Sequence, residues 1–169
     1  MILRIWKHGE PILKKKTPVI EFDAVKKDLP RILRNMWDTM YAANGVGLAA
    51  PQIGLPLRMS VIDVKVEEKS DPLVLINPEI VGAEGTVAAE EGCLSIPGLY
   101  AKVKRYSKVR IRALDLHGEV WERTGTGMLA RAFQHEVDHL NGKLFLDHLS
   151  LVERLRIAPI LRELKKTWK

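Results

Sequence analysis

The spacing of apolar side chains predicts an amphipathic helix near the start of the chain. Between positions 24 and 43, apolar residues recur every three or four positions, which places them on one helical face. They are Leu29, Ile32, Leu33, Met36, Met40 and Tyr41. Pro30 is best tolerated in the first turn of a helix, so we expect the regular helix to begin there or just before. Asn44 and Gly45 follow as a stop signal.

The middle of the chain has the pattern of β-strands. Residues 58–66, 73–79 and 109–114 are rich in branched apolar side chains, and turn-forming residues separate them. Residues 115–118 (DLHG) predict a turn, after which residues 119–123 return as the second strand of a hairpin. Strands that follow one another so closely favour antiparallel sheets.

Beyond Gly125 the apolar spacing changes to a helical period. The helix predicted here is expected to end at Asn141 and Gly142. Residues 149–166 predict a C-terminal helix, which Pro159 is expected to break or kink because proline cannot donate the helical hydrogen bond. The order of helix, strands, helix and terminal helix indicates an α+β fold.

The amino-acid composition indicates which class of protein this is. The chain has 169 residues, 46% hydrophobic and 28% charged, which fits one compact globular domain spanning residues 1–169. No apolar run approaches the roughly 20 residues needed to cross a bilayer. In the first 16 residues the basic residues follow the apolar patch and no small-residue cleavage site is present, so no signal peptide is predicted. We expect a cytoplasmic protein without a membrane segment.

The formal net charge of +6 is concentrated partly at the C-terminus. Residues 150–169 contain two acidic and six basic residues, the latter being Arg154, Arg156, Arg162, Lys165, Lys166 and Lys169. A basic tail of this kind can contact nucleic acid or a ribosomal surface. Composition alone favours the simpler interpretation of a solvated helix face.

The stretch QHEVDHLNG, residues 134–142, contains the pattern H-E-x-x-H. On an α-helix His135 and His139 lie one above the other, so both imidazoles can bind one metal ion. Glu136 lies about 100° round the helix, where a carboxylate reaches water at the metal and does not bind the metal itself. Two histidines leave a catalytic site one ligand short.

The third ligand has two candidate sources. Asp147 and His148 follow the helix across a turn, but Phe145 stands where the extended metalloprotease pattern places its last histidine. The other source is Cys93, the single cysteine, in the stretch EEGCLSIPG. A lone cysteine is most often a small buried hydrophobe. A thiolate and two imidazoles nevertheless form a credible catalytic set with one position open.

Three motifs carry a family resemblance. GVGLAAPQ at 45–52, EGCLS at 91–95 and HEVDHLNG at 135–142 occur in the order and spacing of peptide deformylases. The chain therefore resembles this family over nearly its whole length. With the elements above, we expect an α+β fold in which antiparallel β-sheets pack around a central H-E-x-x-H helix, with an N-terminal helix and a C-terminal helix.

The resemblance implies an activity and a set of roles. Peptide deformylases hydrolyse the formamide of the N-terminal formyl-methionine of newly made proteins and release formate. Cys93, His135 and His139 are the implied metal ligands, and Glu136 is the implied general acid and base. The Gln52 side chain and the Leu94 backbone N–H are the implied donors to the developing oxyanion.

Substrate contacts are expected on two elements. Glycines in the first motif let another backbone approach closely, so a substrate peptide can add to a strand edge through main-chain hydrogen bonds. We expect Val46 and Gly47 to make these contacts. On the helix, Met128 and Ala132 precede His135 on roughly the same face, with Leu129 near its edge, and the three are expected to wall a methionine pocket. The stem of Arg131 is expected to lie along the pocket rim with its head in solvent.

The resemblance also implies a cofactor and partners. Ferrous iron is the expected metal, with nickel, cobalt or zinc able to substitute; the ligand set itself also suits zinc. The expected partners are N-formylmethionyl nascent peptides and, through a basic C-terminal helix, the ribosome. No specific DNA binding is expected.

Two other interpretations remain open at this point. One is a different metallohydrolase on the same scaffold, such as an aminopeptidase or a deacylase. The other is a non-catalytic basic protein that binds RNA or ribosomes and holds a structural metal.

Overall fold

The computed structural model describes residues 1–65 and 69–168. The helices in this part of the chain are α1 (Phe22–Val25), α2 (Leu29–Ala42), α3 (Gly127–Leu140) and α4 (Leu151–Thr167). The strands are β1 (Gly47–Ala49), β2 (Met59–Asp63), β3 (Pro72–Glu84), β4 (Val87–Cys93), β5 (Ile96–Arg105), β6 (Lys108–Leu114) and β7 (Val120–Thr126). Short 3-10 turns lie at Pro11–Lys14, Ala50–Ile53 and Phe145–His148.

The strands form two antiparallel sheets. Five of them make a sheet in the order β1-β2-β3-β6-β7, and β4 pairs with β5 as a separate two-stranded sheet. The pair β4–β5 is inserted between β3 and β6, which are themselves neighbours in the larger sheet. This insertion allows residues at the β4–β5 turn to approach α3 from the side.

Helix α3 packs between the sheets and is largely buried. Ala130, Phe133 and Val137 belong to one core cluster with residues of β2, β3 and β6. A second cluster joins α2 to β1 and β2. A third lies between β5, the 3-10 turn at Phe145–His148 and α4. The expected α+β fold with antiparallel sheets around the H-E-x-x-H helix is therefore confirmed.

The predicted elements are present in the structure, with differences in their bounds, at Pro159 and in one pairing. Helix α2 begins one residue before Pro30, as expected. Strand β2 ends at Asp63, and Val66, the predicted last residue of that strand, lies outside the described residues. Strand β3 runs to Glu84, well beyond the predicted end at position 79. The pairing of β4 with β5 was not predicted, although β5 alternates between buried or half-buried and exposed positions from Leu99 to Arg105.

Pro159 does not break the C-terminal helix, since α4 is one helix from Leu151 to Thr167, and the other expected outcome, a kink at Pro159, stays a prediction. Pro159 lies on the exposed face, so the carbonyl that loses its helical partner is open to water. On the opposite face Ile157 and Leu161 pack against the third core cluster. Ser150 caps the helix, because its hydroxyl accepts a hydrogen bond from the Glu153 N–H at 3.2 Å.

None of the helices in the described part of the chain combines the length and the apolar character that crossing a bilayer requires.

Candidate metal centre

Helix α3 places two imidazoles side by side. His135 and His139 are one turn apart, and their Nε2 atoms lie 3.1 Å from each other. Both are covered: His139 is buried and His135 is half-buried. The ring planes are inclined by 72°, so the two nitrogens converge without stacking of the rings.

The turn between β4 and β5 brings a thiol to the same point. The Sγ atom of Cys93 lies 3.3 Å from Nε2 of His139. The donor atoms of Cys93, His135 and His139 all lie within 4.8 Å of one another. Tetrahedral bonds of about 2.0–2.3 Å separate neighbouring ligand atoms by roughly 3.4–3.6 Å, so the spacing fits one metal ion.

The protonation state of Cys93 suits metal binding. Burial alone would raise the pKa of this thiol. The imidazoles of His139 and His135 overcome that effect and lower the pKa of Cys93 to about 5. A thiolate is thus present at neutral pH, and thiolates are the form of cysteine that ligates metals.

Glu91 fixes the orientation of His135. Its Oε1 atom lies 2.6 Å from Nδ1 of His135, so Nδ1 carries the proton and Nε2 keeps its lone pair for a metal. Burial would raise the pKa of Glu91, but hydrogen bonds from His135 and Arg105 hold it well below its usual range. The carboxylate is therefore charged although it is almost fully buried.

Two buried arginines hold that carboxylate. Arg105 donates to it from Nη2 at 2.6 Å and from Nε at 3.1 Å. Arg131 donates from Nη1 to Glu91 Oε2 at 2.8 Å and to the Val103 carbonyl at 3.1 Å. Arg105 also pairs with Asp138, the residue before His139. The metal helix and the β4–β5 sheet are thus joined by a buried network of charges.

The expected position of Arg131, with its head in solvent, is wrong. The side chain is only 8% exposed, and its guanidinium lies inside the protein against Glu91. The physical reason is that the interior offers it a carboxylate together with the carbonyls of Val103 and Val87. Arg131 still borders the cleft described below.

Glu136 faces the cleft with one oxygen free of protein partners. The residue is 2% exposed, and Oε2 accepts no hydrogen bond from the described residues. Burial raises the pKa of Glu136 to about 7, against the opposing effect of His135 and His139. Gly47 of β1 lies so close that a Cβ atom there would overlap the Glu136 carboxylate. A side chain at position 47 would therefore displace the Glu136 carboxylate.

Both polar atoms of the Gln52 side-chain amide have hydrogen-bond partners in the protein. Its Oε1 atom accepts a hydrogen bond from the Ala49 N–H at 2.9 Å, and its amide nitrogen donates to Ser95 Oγ at 3.1 Å. The same nitrogen lies 3.6 Å from Cys93 Sγ. The second N–H of the amide is therefore directed towards the candidate ligands. Leu94 follows Cys93 in the turn and borders the cleft as well.

One cleft of about 610 Å³ is bordered by Gln52, Cys93, Leu94, His135 and Glu136. Of the predicted substrate-binding residues, Val46, Gly47, Met128 and Ala132 line it. Val46 and Met128 are about half exposed, as the mouth of a cleft requires. Leu129 is not among the described residues that line it, and its contact with substrate stays a prediction. Leu129 lies further round α3 and packs against the core cluster that contains Phe133.

Sequence reasoning did not identify the residues that support the ligands. Glu91 stands two positions before Cys93, and the alternation of a strand places such residues on one side. That spacing was a usable signal, although it did not indicate that Glu91 pairs with His135. Ser95 belongs to the EGCLS motif, but the motif did not indicate its hydrogen bond with Gln52, and Arg105 gave no signal.

Comparisons of the sequence with known proteins all match the chain to one protein family. Residues 2–155 match the family model described as Polypeptide deformylase. A Peptide deformylase of Alkalilimnicola ehrlichii is 46% identical over 164 residues, which cover 96% of this chain and 90% of that protein. A Peptide deformylase of Thermodesulfovibrio yellowstonii is 47% identical, covering 96% of this chain and 93% of that protein.

Solved structures agree with the sequence comparison. A crystal structure of a peptide deformylase from Legionella pneumophila superposes with a TM-score of 0.89 at 47% identity, covering 98% of this chain and 96% of that chain. A peptide deformylase from Synechococcus elongatus, crystallised in complex with actinonin, gives a TM-score of 0.87 at 39% identity. That match covers 95% of this chain and 86% of that chain.

Proposed function

Because the chain belongs to the polypeptide deformylase family, we propose roles for its own residues in the reaction of that family. The protein is a metal-dependent hydrolase that removes the N-formyl group from the N-terminal formyl-methionine of newly synthesised proteins and releases formate. The observation that supports the proposed roles is the convergence of Cys93, His135 and His139 at a cleft that Cys93, His135 and Glu136 line.

Cys93, His135 and His139 are the proposed metal ligands. One thiolate and two imidazoles are the donor types that divalent zinc and iron accept, and they leave one coordination position open. When bound, such a metal acts as a Lewis acid and lowers the pKa of water from about 15.7 towards 7. Glu91 keeps His135 in the tautomer that this role requires.

Glu136 is the proposed proton carrier. It accepts the proton of the attacking water, whose oxygen bonds to the formyl carbon. It then delivers that proton to the amine as the carbon–nitrogen bond breaks and formate leaves. Its raised pKa, about 7, suits a group that must both accept and release a proton near neutral pH.

Gln52 and the Leu94 backbone N–H are the proposed donors to the oxyanion that forms on the formyl oxygen. Gln52 is held by Ala49 and Ser95, so it does not have to reorganise during the reaction. Donors fixed in advance are worth about 10²–10³ in rate each. The Leu94 side chain carries no chemistry in this proposal.

The substrate peptide is proposed to add to β1. This strand is at the edge of the five-stranded sheet, and its first residue, Gly47, borders the cleft together with the preceding Val46. A peptide extended along that edge forms main-chain hydrogen bonds irrespective of its sequence. Met128 and Ala132 then receive the methionine side chain.

A comparison of three dipeptides tests the function. We expect hydrolysis of formyl-Met-Ala to be much faster than that of acetyl-Met-Ala or Met-Ala. Faster cleavage of acetyl-Met-Ala indicates a deacylase, and faster cleavage of Met-Ala indicates an aminopeptidase. Either result overturns the proposed substrate.

Ferrous iron is the proposed metal, with nickel, cobalt or zinc able to replace it. A thiolate next to an oxidisable metal leads us to expect loss of activity in air. Metal analysis of protein purified without oxygen, with formyl-Met-Ala turnover measured on the same sample, tests this. Active protein that contains zinc and no iron after purification without oxygen contradicts the assignment.

Helix α4 is the proposed contact with the ribosome, which agrees with a cytoplasmic protein acting on nascent chains. Arg156, Arg162 and Lys165 are exposed on it, and Leu155 is 65% exposed beside them. The double substitution Arg156→Glu and Arg162→Glu is expected to weaken salt-dependent binding to ribosomes without changing dipeptide turnover. Unchanged ribosome binding refutes this contact.

A further inference from the structure

The N-terminal segment crosses directly behind the two elements that carry the proposed oxyanion donors. The Trp6 N–H donates to the Gln52 carbonyl at 2.7 Å, and the His8 N–H donates to the Ser95 carbonyl at 2.8 Å. The segment is anchored before this point, because the Leu3 N–H donates to Thr39 Oγ1 at 2.9 Å. It is therefore a fixed part of the site.

Lys7 lies between these two main-chain contacts and reaches into the cleft. Its ammonium group donates to the Leu94 carbonyl at 3.1 Å. That carbonyl belongs to the peptide that joins Leu94 to Ser95. The N–H of the same peptide donates to Cys93 Sγ at 3.4 Å. One peptide group is thus held between a cation at its oxygen and a thiolate at its nitrogen.

We propose that Lys7 is a positioning residue that acts on the Cys93 thiolate and on the Leu94 N–H through the Leu94–Ser95 peptide. The proposal rests on the proposed roles of Cys93 and Leu94. A cation at the oxygen of a peptide polarises its N–H, which strengthens the hydrogen bond to sulfur. The same contact fixes the turn, so the Leu94 N–H keeps its direction towards the formyl oxygen.

The surroundings of Lys7 support an internal role. The side chain is half-buried and borders the cleft together with Cys93 and Leu94. Burial lowers the pKa of Lys7 and the Cys93 thiolate opposes this effect, so the two groups are within electrostatic reach. Partners of a ligand that do not touch the metal typically change metal affinity or activity about 10–100-fold when removed.

Arg4 provides a matched control on the same segment. Its guanidinium lies 5.1 Å from the centre of the Trp6 ring, and its side chain is 64% exposed. Removing this cation changes the net charge as much as removing Lys7 does, but no hydrogen bond to Leu94 is lost.

The experiment compares the full-length parent with Lys7→Met, Lys7→Gln, Lys7→Arg and Arg4→Met. Each protein is loaded with cobalt(II), and the thiolate-to-cobalt absorption band is recorded. Steady-state kcat and KM are measured with formyl-Met-Ala. Thermal unfolding shows whether each variant folds. Lys7→Met and Lys7→Gln both remove the charge, so the result does not depend on a single substitution.

We expect Lys7→Met and Lys7→Gln to shift the cobalt band to longer wavelength, because a less polarised sulfur releases its electron more easily. We also expect kcat to fall about 10-fold with KM unchanged. Lys7→Arg should restore most of both values, and Arg4→Met should match the parent.

Several results overturn the proposal. One is an unshifted band with unchanged kcat in both uncharged variants. Another is a rise in KM alone, which indicates a contact with substrate. An equal effect of Arg4→Met indicates a general effect of charge. A parent without formyl-Met-Ala turnover, or without a thiolate band, refutes the proposed function itself and is distinguishable from these outcomes.

Discussion

Glu91 is the residue on which the buried charges of the site converge. It receives hydrogen bonds from His135, Arg105 and Arg131, and it is almost fully buried. Removing one member of a buried ion pair leaves the others uncompensated, which costs about 3–5 kcal/mol. A single carboxylate therefore serves both the stability of the fold and the orientation of a ligand.

We expect Glu91→Gln to lower the free energy of unfolding of the metal-free protein by about 3 kcal/mol. Metal affinity should fall about 10–100-fold, because His135 loses the acceptor that fixes its tautomer. Urea unfolding and metal competition measure the two effects. The control is Glu90→Gln at the exposed neighbouring position, where stability should change by no more than about 0.5 kcal/mol. Equal effects at both positions contradict the orienting role.

Glu136 contributes chemistry and not metal binding in our proposal. Glu136→Gln keeps the shape of the side chain but cannot carry the proton, so kcat should fall about 10²–10⁴-fold. The metal content should equal that of the parent, because the ligands are unchanged. Turnover of formyl-Met-Ala and metal analysis on the same preparation test this. A variant that loses its metal together with its activity shows that Glu136 supports the ligands instead.

At the scale of elements, α3 could be predicted closely because its periodicity and its stop signal agree. The ligands His135 and His139 follow directly from their spacing on that helix. The pairing of β4 with β5 could not be predicted, since its contacts depend on charges such as Arg105 that meet only after folding. For the same reason Arg131 was expected in solvent. Its carboxylate partner lies 40 positions earlier in the chain, so nothing near Arg131 in the sequence indicated the pair.

Helix α4 offers a prediction about an element. Pro159 costs the helix one hydrogen bond, yet its face is exposed and its neighbours Ile157 and Leu161 pack on the core. We expect Pro159→Ala to stabilise the helix by about 1–3 kcal/mol, because alanine restores the missing donor. Hydrogen exchange of the amides around position 159 should slow accordingly. The dipeptide turnover should stay the same, as α4 contributes no ligand.

Unchanged or faster exchange in Pro159→Ala contradicts this account of the helix. It would mean that the ring of Pro159 stabilises α4 more than the missing hydrogen bond weakens it. Leu155→Ala is a suitable control, because this side chain is 65% exposed and the substitution leaves the backbone hydrogen bonds in place.

At the scale of the whole molecule, the metal ligands come from separate parts of the fold. Cys93 lies at the end of the two-stranded sheet, whereas His135 and His139 lie on a helix that packs against the five-stranded sheet. A bound metal joins these parts in the folded state and finds no such arrangement in the unfolded chain. Binding and folding are therefore linked.

We expect removal of the metal to lower the melting temperature. A metal present at about 1,000 times its Kd stabilises the fold by about 4 kcal/mol. For a chain of this length, that corresponds to roughly 8–16 °C. Calorimetry of the protein with metal, and again after chelation, measures the difference. In His139→Ala the two measurements should nearly coincide, because the ligand set is incomplete. The contrary outcome is an unchanged melting temperature in the parent after metal analysis has shown that the metal is gone. It would show that the network around Glu91 holds the site together without the metal.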